Sequence, residues 1–128
     1  MKKIEIIVPD RLFNDVNRII RDMHAGGITF QRVEGRGKIK AKPVAIARGT
    51  RQYTPEFIPR IKLEVVVKDD QVDGIVSKIA DELANPDVGG KIFVIDVTRA
   101  IELATKEQGE KALYSARHLF ELIQHQKI

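Results

Sequence analysis

Apolar residues recur along this chain with two different periods, and the changes of period mark its elements. Lys3 to Val8 is a short β-branched run closed by Pro9-Asp10, which predicts a strand ending in a turn. From Leu12 the apolar positions are Leu12, Val16, Ile19, Ile20 and Met23, one face of a helix. Asp10 is the candidate N-cap of that helix and Gly26-Gly27 its candidate stop. Ile28 to Val33 alternates as a second strand, and Ile61 to Val67 reads as a third. Asp69-Asp70 then places carboxylates at the start of a helix, where the unpaired N–H groups and the dipole favour them. That helix buries a stripe of Val72, Ile75, Val76, Ile79, Ala80 and Leu83 before Asn85-Pro86-Asp87 breaks it. A glycine loop follows, Val88-Gly89-Gly90-Lys91, and Lys91 to Val97 is the fourth strand. The order βαββαβ predicts an α+β fold, ferredoxin-like, with two helices on an antiparallel sheet.

Two stretches fall outside this pattern. From Gly35 to Pro59 there is no sustained period of either kind, and its charges are Arg36, Lys38, Lys40, Lys42, Arg48 and Arg51 against the single Glu56. A structureless stretch of roughly 20 residues between two strands argues for a functional loop, here about residues 37–57. Beyond Thr98 the pattern weakens, and Thr98 to Gln108 reads as a turn with a short strand or helix. From Glu110, helical spacing returns at Ala112, Ala116, Leu119, Phe120 and Ile123, a C-terminal helix of about four turns. Residues 1–108 therefore form one domain and residues 109–128 a helical extension.

Composition narrows the function classes. The chain has 128 residues, 43% hydrophobic and 31% charged, which is globular and large enough for its own core. No apolar run approaches the ~20 residues that cross a bilayer, and the N-terminal stretch is too interrupted for a signal peptide. A cytoplasmic protein without direct membrane insertion is the expectation. The absence of cysteine excludes disulfides and thiolate metal sites. A net charge of +4 suits an anionic partner, and the long loop carries much of that excess.

Candidate chemistry is sparse. Gly35-Arg36-Gly37-Lys38 and Gly89-Gly90-Lys91 each set glycines beside a strand and end in lysine. That combination lets backbone N–H groups approach a phosphate, although neither has the spacing of a P-loop or dinucleotide motif. Ser77 and Ser115 have no His-Asp partner nearby, and His24, His118 and His125 are scattered. Neither a catalytic nor a metal constellation is visible, so the chain is read as a non-enzyme. An RNA-recognition module stacks bases on strand aromatics; Ile61 to Val67 has none, and nucleic-acid binding is not expected.

The landmarks resemble, in order and spacing, those of the PII signal-transduction (nitrogen regulatory) proteins, as a divergent member. The resembling residues are Met1 to Ile7, Gly27-Ile28-Thr29, Gly35 with Gly37, Arg48-Gly49 with Tyr53, Phe57 to Val67, Asp69-Asp70, Gly90 to Val94, and Thr105. They cover about residues 1–108. The resemblance implies a homotrimer binding adenine nucleotide (ATP, ADP or AMP) at the clefts between subunits. It implies a T-loop that controls a partner such as an ammonium transporter or an enzyme of nitrogen metabolism. By position, Thr29, Glu64 and Val66 would line the base and ribose, and Gly35, Gly37, Lys38, Gly89, Gly90 and Lys91 the phosphates. Arg60 stands where the family keeps a lysine that pairs with 2-oxoglutarate. Tyr53 falls on the tyrosine that some bacterial members modify with a nucleotidyl group.

Departures from the pattern matter too. The family's magnesium-ligating glutamine is Ile39 here, and isoleucine offers no oxygen to a hard cation. Two phosphate-binding arginines align with Glu102 and Ala104. These substitutions predict retained nucleotide binding, with preference for fewer phosphates, and weak or absent magnesium-dependent 2-oxoglutarate binding. Two alternatives stand beside this reading: a sensor of AMP, a cyclic nucleotide or bicarbonate tied to carbon or metal uptake, and a slow ATPase.

Overall fold

A computed structural model describes residues 1–37, 43–49 and 51–113, without the Arg48 side chain. Strand β1 (Lys2–Val8) alternates as predicted. Ile4, Ile6 and Val8 point into the core, and Lys3, Glu5 and Ile7 point the other way. A 3-10 turn at Asp10–Leu12 leads into helix α1 (Phe13–Asp22), which buries Val16, Ile19 and Ile20. Asp10 is not the helix cap, because α1 starts three residues later behind Leu12 with no side-chain cap. The Asp10 carboxylate instead takes Arg32 at 2.7 Å, tying the turn to the neighbouring strand.

The predicted helix stop at Gly26-Gly27 is also corrected. The residue that turns left-handed is His24, at φ 56°. Its amide donates to the Arg21 carbonyl at 3.0 Å and the Ala25 amide to the Ile20 carbonyl at 3.2 Å. That pair of bonds is a Schellman ending with a non-glycine residue at its left-handed position. Gly26 serves a different purpose, since a Cβ there would overlap the Leu113 carbonyl oxygen.

Strand β2 (Ile28–Gly35) runs two residues past the predicted end. The stretch expected to lack structure holds a small hairpin, β3 (Val44–Ile46) and β4 (Arg51–Tyr53), with Val44 opposite Tyr53. Three-residue strands are too short to show a period, which explains why the pattern hid them. Lys38 and Ile39 lie outside the described residues. Strand β5 (Ile58–Val67) begins three residues before Ile61, so Ile58-Pro59-Arg60 belongs to the sheet. Asp69-Asp70 sits in a 3-10 turn, Asp69–Gln71, ahead of helix α2 (Val72–Leu83), which buries Ile75 and Ile79. The Met1 ammonium, 2.8 Å away, holds the Asp69 carboxyl below its ordinary range. Strand β6 (Lys91–Asp96) closes the domain, and the Val97 amide still donates to the Met1 carbonyl at 3.1 Å.

The four long strands lie in the order β2-β5-β1-β6, each antiparallel to its neighbours. This is the ferredoxin-like arrangement, with both helices on one face. Nine core side chains from β1, α1, β5 and α2 are less than 2% exposed. Burial of such aliphatics stabilises the fold by about 1.5–3 kcal/mol each, while exposed ion pairs contribute roughly 0.2–1. The sheet face opposite the helices carries a charge network. Glu5 lies 3.3 Å from Lys62, Glu64 lies 3.4 Å from Lys62, and Lys3 reaches both carboxylates at 3.8–3.9 Å. Phe93, Val94 and Ile95 on the edge strand β6 are 42–46% exposed.

After β6 the chain makes a turn closed by the Ile101–Gln108 bridge, then a 3-10 turn, Gly109–Leu113. The predicted C-terminal helix from Glu110 falls mainly on residues 114–128, outside the described residues. Its first described turn is tighter than α-helical and rests against Gly26.

Two outcomes follow from these contacts. Arg18, hydrogen-bonded to Glu82 at 2.8 Å, holds the Glu82 carboxyl below its ordinary value of 4.5 and links α1 to α2. A depressed carboxylate stabilises the fold above 4.5 and loses that effect as pH falls through its folded value. Thermal melts of wild type and Glu82→Gln should therefore differ at pH 7 and converge well below pH 4.5. Separately, Gly26→Ala should destabilise the full chain by about 1–3 kcal/mol, as overpacking does, and have little effect in a chain ending at Gly109. Equal effects in both chains would dissociate Leu113 from Gly26.

Candidate functional site

Antiparallel register gathers four chain segments at one end of the sheet. Gly35 pairs with Ile58, Arg60 with Val33, and Ile7 with both Lys62 and Lys91. The ends of β2 and β1 and the starts of β5 and β6 thus border one cavity of about 510 Å³. Gly35, Arg36, Gly37, Arg60, Gly90 and Lys91 are among its lining residues. Both glycine elements singled out in the sequence therefore meet, although 50 or more residues separate them along the chain.

The second glycine loop is shaped by its neighbours. The Asn85 carboxamide oxygen accepts the Asp87 amide at 2.9 Å, and the Asn85 carbonyl accepts the Val88 amide at 3.1 Å. Gly89 and Gly90 then take φ of 73° and 118°, where side chains are strained. A Cβ on Gly90 would also lie 2.8 Å from the Ile7 carbonyl oxygen. Arg60, 7% exposed, donates from Nη1 to the Val88 carbonyl at 3.3 Å and so anchors the loop to β5. Gly35 and Gly37 differ: neither has positive φ, and a Cβ at Gly37 would meet nothing within 4 Å. Among the described residues, nothing packed against Gly37 demands glycine.

A second cluster lies toward the opposite end of the sheet. Thr29 on β2 pairs with Glu64 on β5, and with Val66 they line a cavity of about 270 Å³. Lys3, Gly27, Ala100, Ala112 and Leu113 complete its wall. The Glu64 carboxylate belongs to the charge network described above, and Glu5 first, then Glu64, push the Lys62 ammonium above its ordinary value. Thr29 is six residues from Gly35 on one strand, about 20 Å at 3.3 Å per residue. The sequence-predicted residues therefore fall beside two separate cavities, and Lys38 lies outside the described residues.

Tyr53 lines neither cavity; it is 51% exposed on β4. Glu102 is engaged in its own turn, accepting the Ala104 amide at 3.1 Å. Ser77 sits on α2 and His24 at the end of α1, while Ser115, His118 and His125 lie outside the described residues. Sequence reasoning placed Arg36 inside the first glycine motif and in the charge of the loop but gave its side chain no role at the cavity. It missed Ile7 and Phe93, whose place beside the glycines follows only from strand register. Among the described residues no His, Asp and Glu cluster could hold a metal ion, and no helix is long and apolar enough to cross a membrane.

Comparison with known proteins fits this geometry. The family model described as "Nitrogen regulatory protein P-II" matches residues 1–107. The nitrogen regulatory protein P-II of Pasteurella multocida is 38% identical over 114 residues, covering 88% of this chain and 100% of the relative. The P-II protein of Haemophilus influenzae is also 38% identical, and P-II 1 of Escherichia coli 36%, at the same coverage. Among solved structures, the Bacillus subtilis GlnK–ATP complex superposes with a TM-score of 0.68 at 25% identity, covering 88% of this chain and 96% of that one. With the match running through both glycine elements and the sheet that joins them, the chain belongs to the nitrogen regulatory protein P-II family.

Proposed function

We propose that this signal-transduction regulator binds an adenine nucleotide between copies of itself and passes its occupancy to a partner protein through the 37–57 loop. The observation that carries the reading is the separation of the two cavities. A cationic, glycine-bordered cavity suits phosphates, and the Thr29–Glu64–Val66 cavity suits a base and ribose. About 20 Å of β2 between them is more than one nucleotide spans within a single chain. A ligand that uses both takes its phosphates from one copy and its base from the next. The likeness to a GlnK structure holding ATP supports the choice of nucleotide.

Assembly follows the same logic. Phe93 and Ile95, exposed on the sheet face opposite the helices, and Leu103, 90% exposed, are apolar area that association would cover. A homotrimer would close three such clefts. The loop is the signalling element: its hairpin exposes Val44, Ile46 and Tyr53 to a partner such as an ammonium transporter or a nitrogen-metabolism enzyme. Nucleotide controls the loop only if it binds one loop arrangement better than another. The regulator is non-enzymatic, and a turnover assay on the assembled protein separates it from a slow ATPase.

Effector sensing differs from the family pattern in this reading. Ile39 supplies no magnesium ligand, and Glu102 and Ala104 bring no cation to the phosphates. Calorimetry with ATP, ADP and AMP, each with and without magnesium and 2-oxoglutarate, is expected to show binding of adenine nucleotide with no gain from 2-oxoglutarate. Strong ATP-dependent 2-oxoglutarate binding would overturn the effector part. In the same titrations Gly90→Ala, strained at φ 118° and crowding Ile7, should abolish or greatly weaken nucleotide binding.

A further inference from the structure

The cavity at the glycine end is lined, among the described residues, by three charged side chains, all cations: Arg36, Arg60 and Lys91. Arg60 is buried and committed to the Val88 carbonyl, so it is fixed in place. Arg36 is placed differently. It lies at the exit of β2, between Gly35 and Gly37, and its guanidinium pairs with the Glu56 carboxylate. Its Cζ also sits 6.0 Å from the centroid of the Phe57 ring. Glu56 and Phe57 are the last residues before β5. One side chain thus borders the cavity and clamps the outgoing leg of the loop to the returning leg, 20 residues further on.

The clamp is weak by construction. Arg36 and Glu56 are 65% and 60% exposed, and an exposed ion pair of this kind contributes little. A phosphate beside Gly35 and Gly37 is a stronger partner, since it carries more charge and accepts two parallel N–H bonds from a guanidinium.

We infer that Arg36 is a phosphate ligand shared between this cavity and Glu56, so that an anion in the cavity draws it from Glu56 and unclamps the base of the loop. The assignment rests on the phosphate reading of the cavity. It gives a role to a side chain that the sequence reading left without one of its own, and offers the phosphates a cation that Glu102 and Ala104 do not supply. Coupling runs both ways: releasing the clamp by other means strengthens anion binding.

Two probes test it, ATP and pyrophosphate, each titrated calorimetrically into wild type, Arg36→Ala, Glu56→Gln and the double variant. Arg36→Ala should weaken both probes about tenfold or more, the loss of a charge-assisted hydrogen bond. Glu56→Gln should tighten them about two- to fivefold and add nothing once Arg36 is gone. Because the chain lacks cysteine, a fluorophore on Ala45→Cys reports the β3–β4 hairpin alone. Its response to saturating ATP should be present in wild type and lost in Arg36→Ala. Unchanged affinities in both single variants, or a full reporter response in Arg36→Ala, would overturn the assignment. If ATP fails to bind but pyrophosphate keeps the order of variants, the nucleotide reading fails and the role of Arg36 stands. If neither probe binds, both fall.

Discussion

Antiparallel register is the constraint on which everything else in this molecule depends. Because Ile7 faces Lys62 and Lys91 while Gly35 faces Ile58, the ends of four strands arrive together on one side of the sheet. A slip of one residue would turn Ile4, Ile6, Leu63 and Val65 out of the core and replace them with Lys3, Glu5, Lys62 and Glu64. The hydrophobic pattern that builds the core therefore also fixes which glycines and cations share a cavity.

The same register keeps the two cavities apart. Thr29 and Gly35 lie six residues apart on one strand, and no side-chain motion brings them together. The proposed use of both by one nucleotide is therefore a property of an assembly. Exposed Phe93 and Ile95 of β6 share the sheet face opposite the helices with the charge network around Lys62, and the proposed assembly would cover that face. Signalling elements are drawn from parts held less firmly than the core, and the loop fits that description. Its hairpin joins two three-residue strands, and its base is closed by the exposed Arg36–Glu56 pair.

How much of this was legible in the sequence depended on the kind of signal each residue gives. Long periodic runs such as Ile61 to Val67 fixed their own type and face, and with them the βαββαβ order. Boundaries were less legible where a local motif competed with a second use of the same residue. Gly26-Gly27 looked like a helix stop, yet His24 supplies the left-handed turn and Gly26 is small for Leu113. Asp10 looked like a cap, yet its carboxylate is taken by Arg32 from the next strand. The glycine pairs were legible because glycine with lysine is a local signature. Arg36 stood inside one of those motifs, but the role of its side chain carries no mark until Glu56, Phe57 and the cavity are seen around it.

In the proposed function nucleotide is bound across two copies, phosphates on one and base on the next. Subunit mixing tests it most directly. Lys91→Glu disables the glycine end and Thr29→Tyr fills the base end, so neither homomeric variant should bind ATP. Mixed assemblies of the two contain a cleft with an intact Lys91 from one copy and an intact Thr29 from another. ATP binding should reappear in them, at one functional cleft per mixed trimer. Recovery of no binding on mixing, with assembly intact, would contradict the account, as would full ATP binding by either variant alone.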